Sequence, residues 1–152
     1  VLGPMLDDRV PSSAKIVELL LTGAYPFLVP HSPMLVDVRD VAELHVRAMT
    51  TAQAGGRRLL AAAETVSTKD VANILRLAFP SYADVIPTHT LPRRLVPLLA
   101  PFNPALRFIA PDIDVTLVPD TAYVTDLTGI SFLPAAEAVR ATGQSLIDYE
   151  VV

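Results

Sequence analysis

The residues of this chain best equipped for chemistry are three histidines, a Ser-x-x-Lys pair, two carboxylate pairs and two arginine pairs. His31, His45 and His89 stand 14 and 44 residues apart, so none has a partner at metal-ligand spacing. No metal is expected. His45, inside a helical pattern, reads as a core or interface histidine whose ring nitrogen meets a backbone carbonyl. His31, between Pro30 and Ser32, reads as a loop residue, with a place at the border of a pocket as the lesser alternative. Ser12 and Lys15 have the spacing at which a lysine activates a serine nucleophile, but no Ser-Asp-Asn, Lys-Thr-Gly or Gly-x-Ser-x-Gly stretch accompanies them. Ser12 is also placed to cap a helix, and that reading is preferred. Asp7-Asp8 and Asp112-Asp114 lie among loop residues and read as solvated turns. Arg57-Arg58 and Arg93-Arg94 read as surface or inter-lobe ion-pair partners rather than phosphate clamps.

What is missing narrows the chemistry further. None of the six glycines forms a Gly-x-Gly-x-x-Gly or Gly-x-x-Gly-x-x-Gly turn, so no backbone loop here can approach a pyrophosphate. Neither lysine, Lys15 or Lys69, follows a tyrosine by four residues. With no cysteine, disulfides, thiolate nucleophiles and Cys-ligated zinc are excluded.

The elements that must position these residues follow from spacing and caps. Ser12 or Ser13 is expected to cap a helix over 14–22, with Ile16, Val17, Leu19, Leu20 and Leu21 as apolar positions and Gly23 as its stop. Leu35, Val36 and Val38 favour a strand, and Asp37 with Asp40 resembles a capping box opening a helix over about 39–53. On that helix Val41, Leu44, His45, Ala48 and Ala52 share a face expected to be buried. A Gly-Gly turn precedes a strand over 57–63. Ser67 and Asp70 form a cleaner capping box for a helix closed by Pro80, with Val71, Ile74, Leu75 and Ala78 inward. Residues 91–111 hold three arginines and five prolines, which predicts short kinked helical turns. A strand is expected over 115–119, a short helix from Asp120 to Gly129, and a last helix opening at Pro134. Strands alternating with helices indicate an α/β fold.

At 152 residues the chain is one domain, 1–152, by the usual length prior. It is 51% hydrophobic and only 18% charged, against roughly 25% charged in a typical soluble domain. Polar residues and prolines interrupt every apolar run before membrane-spanning length, so a soluble chain off the membrane is expected. The excess apolarity then points to a docking face. A net charge of -4 gives no general attraction to nucleic acid. The beginning, Val1-Leu2-Gly3-Pro4, reads as the tail of a strand and carries no signal-peptide pattern; the cytoplasm is the expected location.

In order and spacing, the stretches VLGPMLDD, IVELLLTGAYP, LVDVRDVAELHVRAM, STKDVANILRLAFP, LTGISF and SLIDY resemble the C-terminal half of an extended short-chain dehydrogenase/reductase. This is the NAD-dependent epimerase/dehydratase family, and the resemblance is to its dihydroflavonol-4-reductase-like branch. It implies an α/β, Rossmann-type fold represented here by the last strands of the sheet plus a small substrate-binding lobe. The cofactor-binding part, with its glycine-rich turn and catalytic Ser/Thr, Tyr and Lys, would precede Val1, so this chain holds no catalytic residue. The implied reaction is hydride transfer from NAD(P)H to the carbonyl of a small, largely apolar aldehyde or ketone. The implied partners are that substrate, the complementary N-terminal half and, as a further candidate, a second copy of the chain. Gly3 and Pro4 would lie by the nicotinamide, and Met5, Leu6, Ile16 and Met34 would border the substrate. Nucleotide-sugar epimerases commonly show Arg-x-x-x-His-Val-x-Asp at the start of the corresponding helix; Pro33 and Asp37 replace that Arg and His, which removes a phosphate grip and favours the reductase branch. The alternatives are a stand-alone binding domain and one half of a nucleotide-sugar epimerase or dehydratase.

Overall fold

Three helices build the main core, and each is set by its own sequence signals. In the computed structural model, which describes residues 1–113 and 115–152 (without the side chains of 104, 105 and 108), α1 spans Lys15–Leu21 and buries Val17, Leu20 and Leu21. It stops in a Schellman turn: Gly23 N–H donates to Leu20 O, Ala24 N–H donates to Leu19 O, and Gly23 takes the left-handed φ of 63° this turn requires. Neither Ser12 nor Ser13 caps α1; the residue before the helix is Ala14, already in helical conformation, so the expected cap is corrected.

Helix α2 spans Val38–Thr50, helix α3 spans Thr68–Ala78 and helix α7, named by its place in the chain, spans Ala135–Asp148. The Ser67 hydroxyl accepts from Asp70 N–H at 3.1 Å and donates to the Asp70 carboxylate at 2.6 Å, so the expected box opens α3. Helices α1, α3 and α7 pack on one another through Val17 and Leu21, Val71 and Leu75, and Ala138, Val139 and Leu146, all nearly inaccessible to water. At Gly143 of α7 the helices come so close that an added Cβ would lie 2.5 Å from the Phe79 ring and 3.1 Å from Leu75.

The sheet is far smaller than expected. Strand β1, Met34–Leu35, pairs antiparallel with β2, Glu64–Thr65, and this two-stranded ribbon is the one sheet among the described residues. Residues 57–63 and 115–119 do not form strands. A strand requires a neighbour along its length as well as β-forming side chains; 57–63 offers one ladder bond, Ala63 N–H to Leu35 O at 2.8 Å, and 115–119 is met by the Thr65 hydroxyl, bonded to Leu117 O. Two isolated parallel bridges, Leu2 with Asp37 and Leu28 with Thr90, complete the extended pairing described.

Residues 91–113 form the expected kinked turns, including α4, Val96–Leu99, and α5, Pro104–Ile109, around a small core of Leu91, Val96, Leu106 and Ile113. Helix α6, Ala122–Thr128, follows; Asp120 accepts from Ala122 N–H at 3.1 Å. It packs on α2 through Leu44, Val124 and Ile130. The two helix ends are exchanged for side chains elsewhere: Arg47 of α2 donates to Thr128 O at 2.8 Å, and Glu64 of β2 accepts Ala135 N–H, the first of α7, at 2.7 Å.

The buried face predicted for α2 is only partly realised. Leu44 is buried, but His45 and Ala52 are exposed, and Val41 and Ala48 are half-buried. The opposite positions Val38, Ala42, Val46 and Met49 form an exposed stripe at helical spacing.

Gly143→Val should destabilise the fold by about 1–3 kcal/mol, because the branched side chain must displace Phe79 and Leu75 from a filled layer. Urea denaturation measures this, and an unchanged midpoint would contradict the close α3–α7 contact.

Candidate functional site

The first residues of the chain are held from two sides. On one side, Leu2 N–H donates to Val36 O at 2.9 Å and Val38 N–H donates to Leu2 O at 2.7 Å, joining them to the start of α2. On the other, α7 presents two hydroxyls: Thr142 Oγ1 accepts Gly3 N–H at 2.7 Å and Ser145 Oγ accepts Met5 N–H at 3.0 Å. The Thr142 proton has Ala138 O at 2.9 Å and Gly3 O at 3.1 Å as acceptors. Gly3 has φ of 135°, and a Cβ there would lie 2.7 Å from Val38 Cγ1 and 3.0 Å from Asp37 Oδ1. Only glycine fits both the dihedral and the space.

Behind Gly3 lies a wholly buried carboxylate. Asp37 caps α2 by accepting from Arg39 N–H at 2.9 Å and also takes Arg39 Nε and Nη2 at 2.9 and 2.8 Å. Those side-chain bonds from the Arg39 guanidinium hold the Asp37 carboxyl below the usual carboxylate range. Asp40 does not reach back to complete a capping box. It is buried, accepts Leu133 N–H at 2.8 Å, and burial pushes its carboxyl upward.

The held segment lines a recess of about 400 Å³, into which Gly3, Pro4, Met5 and Leu6 enter together with Val38 and Thr142. Four of the six residues expected at a cofactor or substrate are thus in one place. Ile16 lines a different recess, of about 310 Å³, between α1 and residues 25–31, and Met34 lies on the exposed side of β1, lining neither. The ionisable side chains at the first recess, Asp7 and Arg9, are paired with each other at 2.6 Å on its exposed rim. Its walls can therefore bind and orient an apolar molecule, and they offer no placed general acid or base.

The remaining candidates separate as follows. Lys15 is held by Glu18 at 2.7 Å, which leaves Ser12 without the activating lysine of a Ser-x-x-Lys nucleophile. His31 lines the second recess, the lesser of its two readings. His45 Nδ1 meets Val41 O at 2.7 Å, but the ring is exposed rather than in a core. Arg57, Arg58, Arg93 and Arg94 are exposed. Asp112 is exposed, and Asp114 lies outside the described residues. No group of three His, Cys, Asp or Glu able to hold a metal occurs among the described residues, and no described helix is long and apolar enough to cross a membrane. Thr142 and Ser145 were legible only as helix positions; their spacing of three, one turn apart on the buried face of α7, is the signal that places both hydroxyls together.

No family model matches the chain. Over 79 residues it is 35% identical to an uncharacterized oxidoreductase of Schizosaccharomyces pombe, a match covering 52% of this chain and 23% of that protein. Its fold matches that of yeast methylglyoxal/isovaleraldehyde reductase Gre2 complexed with NADPH, with a TM-score of 0.70 at 21% identity over 99% of this chain and 41% of that one. Gre2 from Candida albicans gives 0.71 at 18% identity, covering 98% of this chain and 42% of that one. The protein gox2253 gives 0.72 at 17%, covering 97% and 47%. The chain therefore shares the α/β fold of a part of these proteins and spans less than half of their length.

The two carboxylates predict opposite pH behaviour. Because the Asp37 carboxyl is lowered in the folded state, its stabilisation is complete above the ordinary carboxylate pKa of about 4 and is lost as pH falls through the lowered value. The raised Asp40 carboxyl costs stability as pH rises through its window. Asp37→Asn should lose about 1–2 kcal/mol at neutral pH, with a flatter acid limb, while Asp40→Asn keeps an acceptor for Leu133 and loses little or gains. Urea midpoints between neutral pH and about pH 3 test both signs; an Asp37→Asn curve parallel to the wild type would contradict the ion pair.

Proposed function

We propose that this chain is the substrate-side part of an extended short-chain dehydrogenase/reductase that transfers hydride from NADH or NADPH to the carbonyl of a small, largely apolar aldehyde or ketone. The observation that carries the reading is the fixed segment Gly3–Leu6 at an apolar recess, in a fold shared with NADPH-complexed Gre2. The dihydroflavonol-4-reductase-like branch and a cytoplasmic location belong to the same proposal.

The residues suit a role beside a cofactor held mainly by another part of the protein. Gly3 lets the backbone pass close against Val38 and Asp37, and Pro4 presents an exposed apolar ring, whereas the described residues include no glycine-rich turn for a pyrophosphate. NAD(P)H, when bound, supplies the hydride. Met5 holds the apolar body of the substrate at the recess and Leu6, exposed in this chain, offers it a further apolar contact, while Thr142 and Ser145 fix the backbone at Gly3 and Met5. The exposed stripe Val38, Ala42, Val46 and Met49 is assigned to the contact with the complementary cofactor-binding half.

A stand-alone binding domain is the rival reading, and it uses the same recess without hydride chemistry. The intact mass of the protein from its native source, with the sequence upstream of Val1, separates the two. The reductase requires a mass well above the 16.3 kDa of this chain and a glycine-rich turn upstream; a native protein that begins at Val1 would contradict it. In the native-length protein Met5→Glu should raise the KM for the best apolar carbonyl substrate on the order of tenfold, through a carboxylate forced against an apolar wall. An unchanged KM would remove Met5 from the site.

A further inference from the structure

Two recesses away from the Gly3–Leu6 segment share one wall. The larger, of about 310 Å³, lies between α1 and residues 25–31; the smaller, of about 130 Å³, reaches toward Leu91, Leu99 and Leu106. Tyr25, Phe27 and Val29 line both. The backbone just beyond Phe27 is clamped, because Leu28 N–H donates to His89 O and Leu91 N–H donates to Leu28 O, each at 2.8 Å. Phe27 nevertheless stays 49% exposed as a residue, and Tyr25, lining the same recesses, 40%. Aromatic side chains on a fixed backbone at the mouth of an apolar recess are suited to hold a ligand rather than a core.

The walls also state the ligand's charge. No Asp, Glu, Lys or Arg lines either recess; Ser12, Asn103, Thr68, His31 and the Tyr25 hydroxyl supply the polar character. An ionised group would lose its hydration there with no carboxylate, ammonium or guanidinium to pair with. Ser12 lines the larger recess, and the next residues, Ser13 and Ala14, line the one that holds Met5, so the two sites flank a single turn.

We propose that the paired recesses form one site for a neutral, elongated apolar molecule, and that Phe27 is the divider that sets the length accepted. The proposal rests on the reductase reading for the ligand's identity, the apolar tail of a carbonyl substrate whose reactive end lies against Met5. The binding site itself requires no turnover.

The test is displacement of the dye N-phenylnaphthylamine from the full chain, without cofactor, by straight-chain alcohols from hexanol to tetradecanol and by decanoate at neutral pH. Affinity should rise about fourfold per methylene until the recess is filled and then level off. Decanoate should bind on the order of tenfold or more weakly than decanol. Phe27→Ala should move the levelling point to longer alcohols, and Leu99→Phe, which fills the smaller recess, should move it to shorter ones. Absence of displacement, equal binding of decanol and decanoate, or an unmoved levelling point in both variants with wild-type circular dichroism would overturn the proposal. If the length selection holds and the native-length protein oxidises neither NADPH nor NADH with decanal or with a short-chain apolar aldehyde, the reductase reading falls and the binding site stands.

Discussion

The short parallel bridge between Leu2 and the start of α2 is the constraint on which the rest of the molecule depends. Two backbone hydrogen bonds, Leu2 to Val36 and Val38 to Leu2, fix the chain's first residues against a helix that begins more than thirty positions later. Gly3 can follow only because it has no Cβ to strike Val38 and Asp37. Once Gly3 is placed, its amide meets Thr142 and that of Met5 meets Ser145, so α7 closes the other side of the same segment. Core packing, the α2 cap and the candidate site thus share a handful of polar contacts that join the two ends of the chain. Buried and satisfied in this way, such contacts specify one arrangement more sharply than apolar packing does.

The two acidic residues at the start of α2 divide two tasks. Asp37 works locally, capping the helix and drawing in Arg39, and is stabilised as the anion. Asp40 works at long range, receiving Leu133 N–H and positioning the chain just before α7, and is strained as the anion. Neither faces the recess as an acid or base. The polar groups nearest the candidate site thus serve its geometry, and the surfaces offered to a ligand are apolar. The proposed reductase reading requires this division, with this part selecting and orienting while another supplies the reactive groups.

Much of the helical architecture was legible because caps and periodicity are local. Ser67 with Asp70, Gly23, Pro134 and the prolines of 91–111 each act within a turn of themselves, and the structure places helices and turns where they indicate. Strands are less legible because a ladder depends on a distant neighbour: 57–63 and 115–119 have β-compatible runs and almost no partner among the described residues. The face of α2 misled for a related reason. Its apolar spacing supports two stripes, and only Leu44 of the expected one meets a helix, α6, while Val46 and Met49 of the other stay exposed. At the candidate site, Gly3 to Leu6 are legible through a resemblance, whereas the spacing of Thr142 and Ser145 places two hydroxyls on one helix face without revealing that they meet the amides of Gly3 and Met5, some 140 positions away.

The central claim, that this fold serves hydride transfer to a carbonyl, is tested most directly by isotope. The native-length protein would be incubated with NADPH or NADH deuterated at both C4 positions and a small apolar aldehyde, and the alcohol product analysed for deuterium at the former carbonyl carbon. The account predicts label at that carbon, one deuterium per product molecule. An unlabelled product, or none from a folded protein that still binds the aldehyde, would contradict it and leave a binding domain in its place.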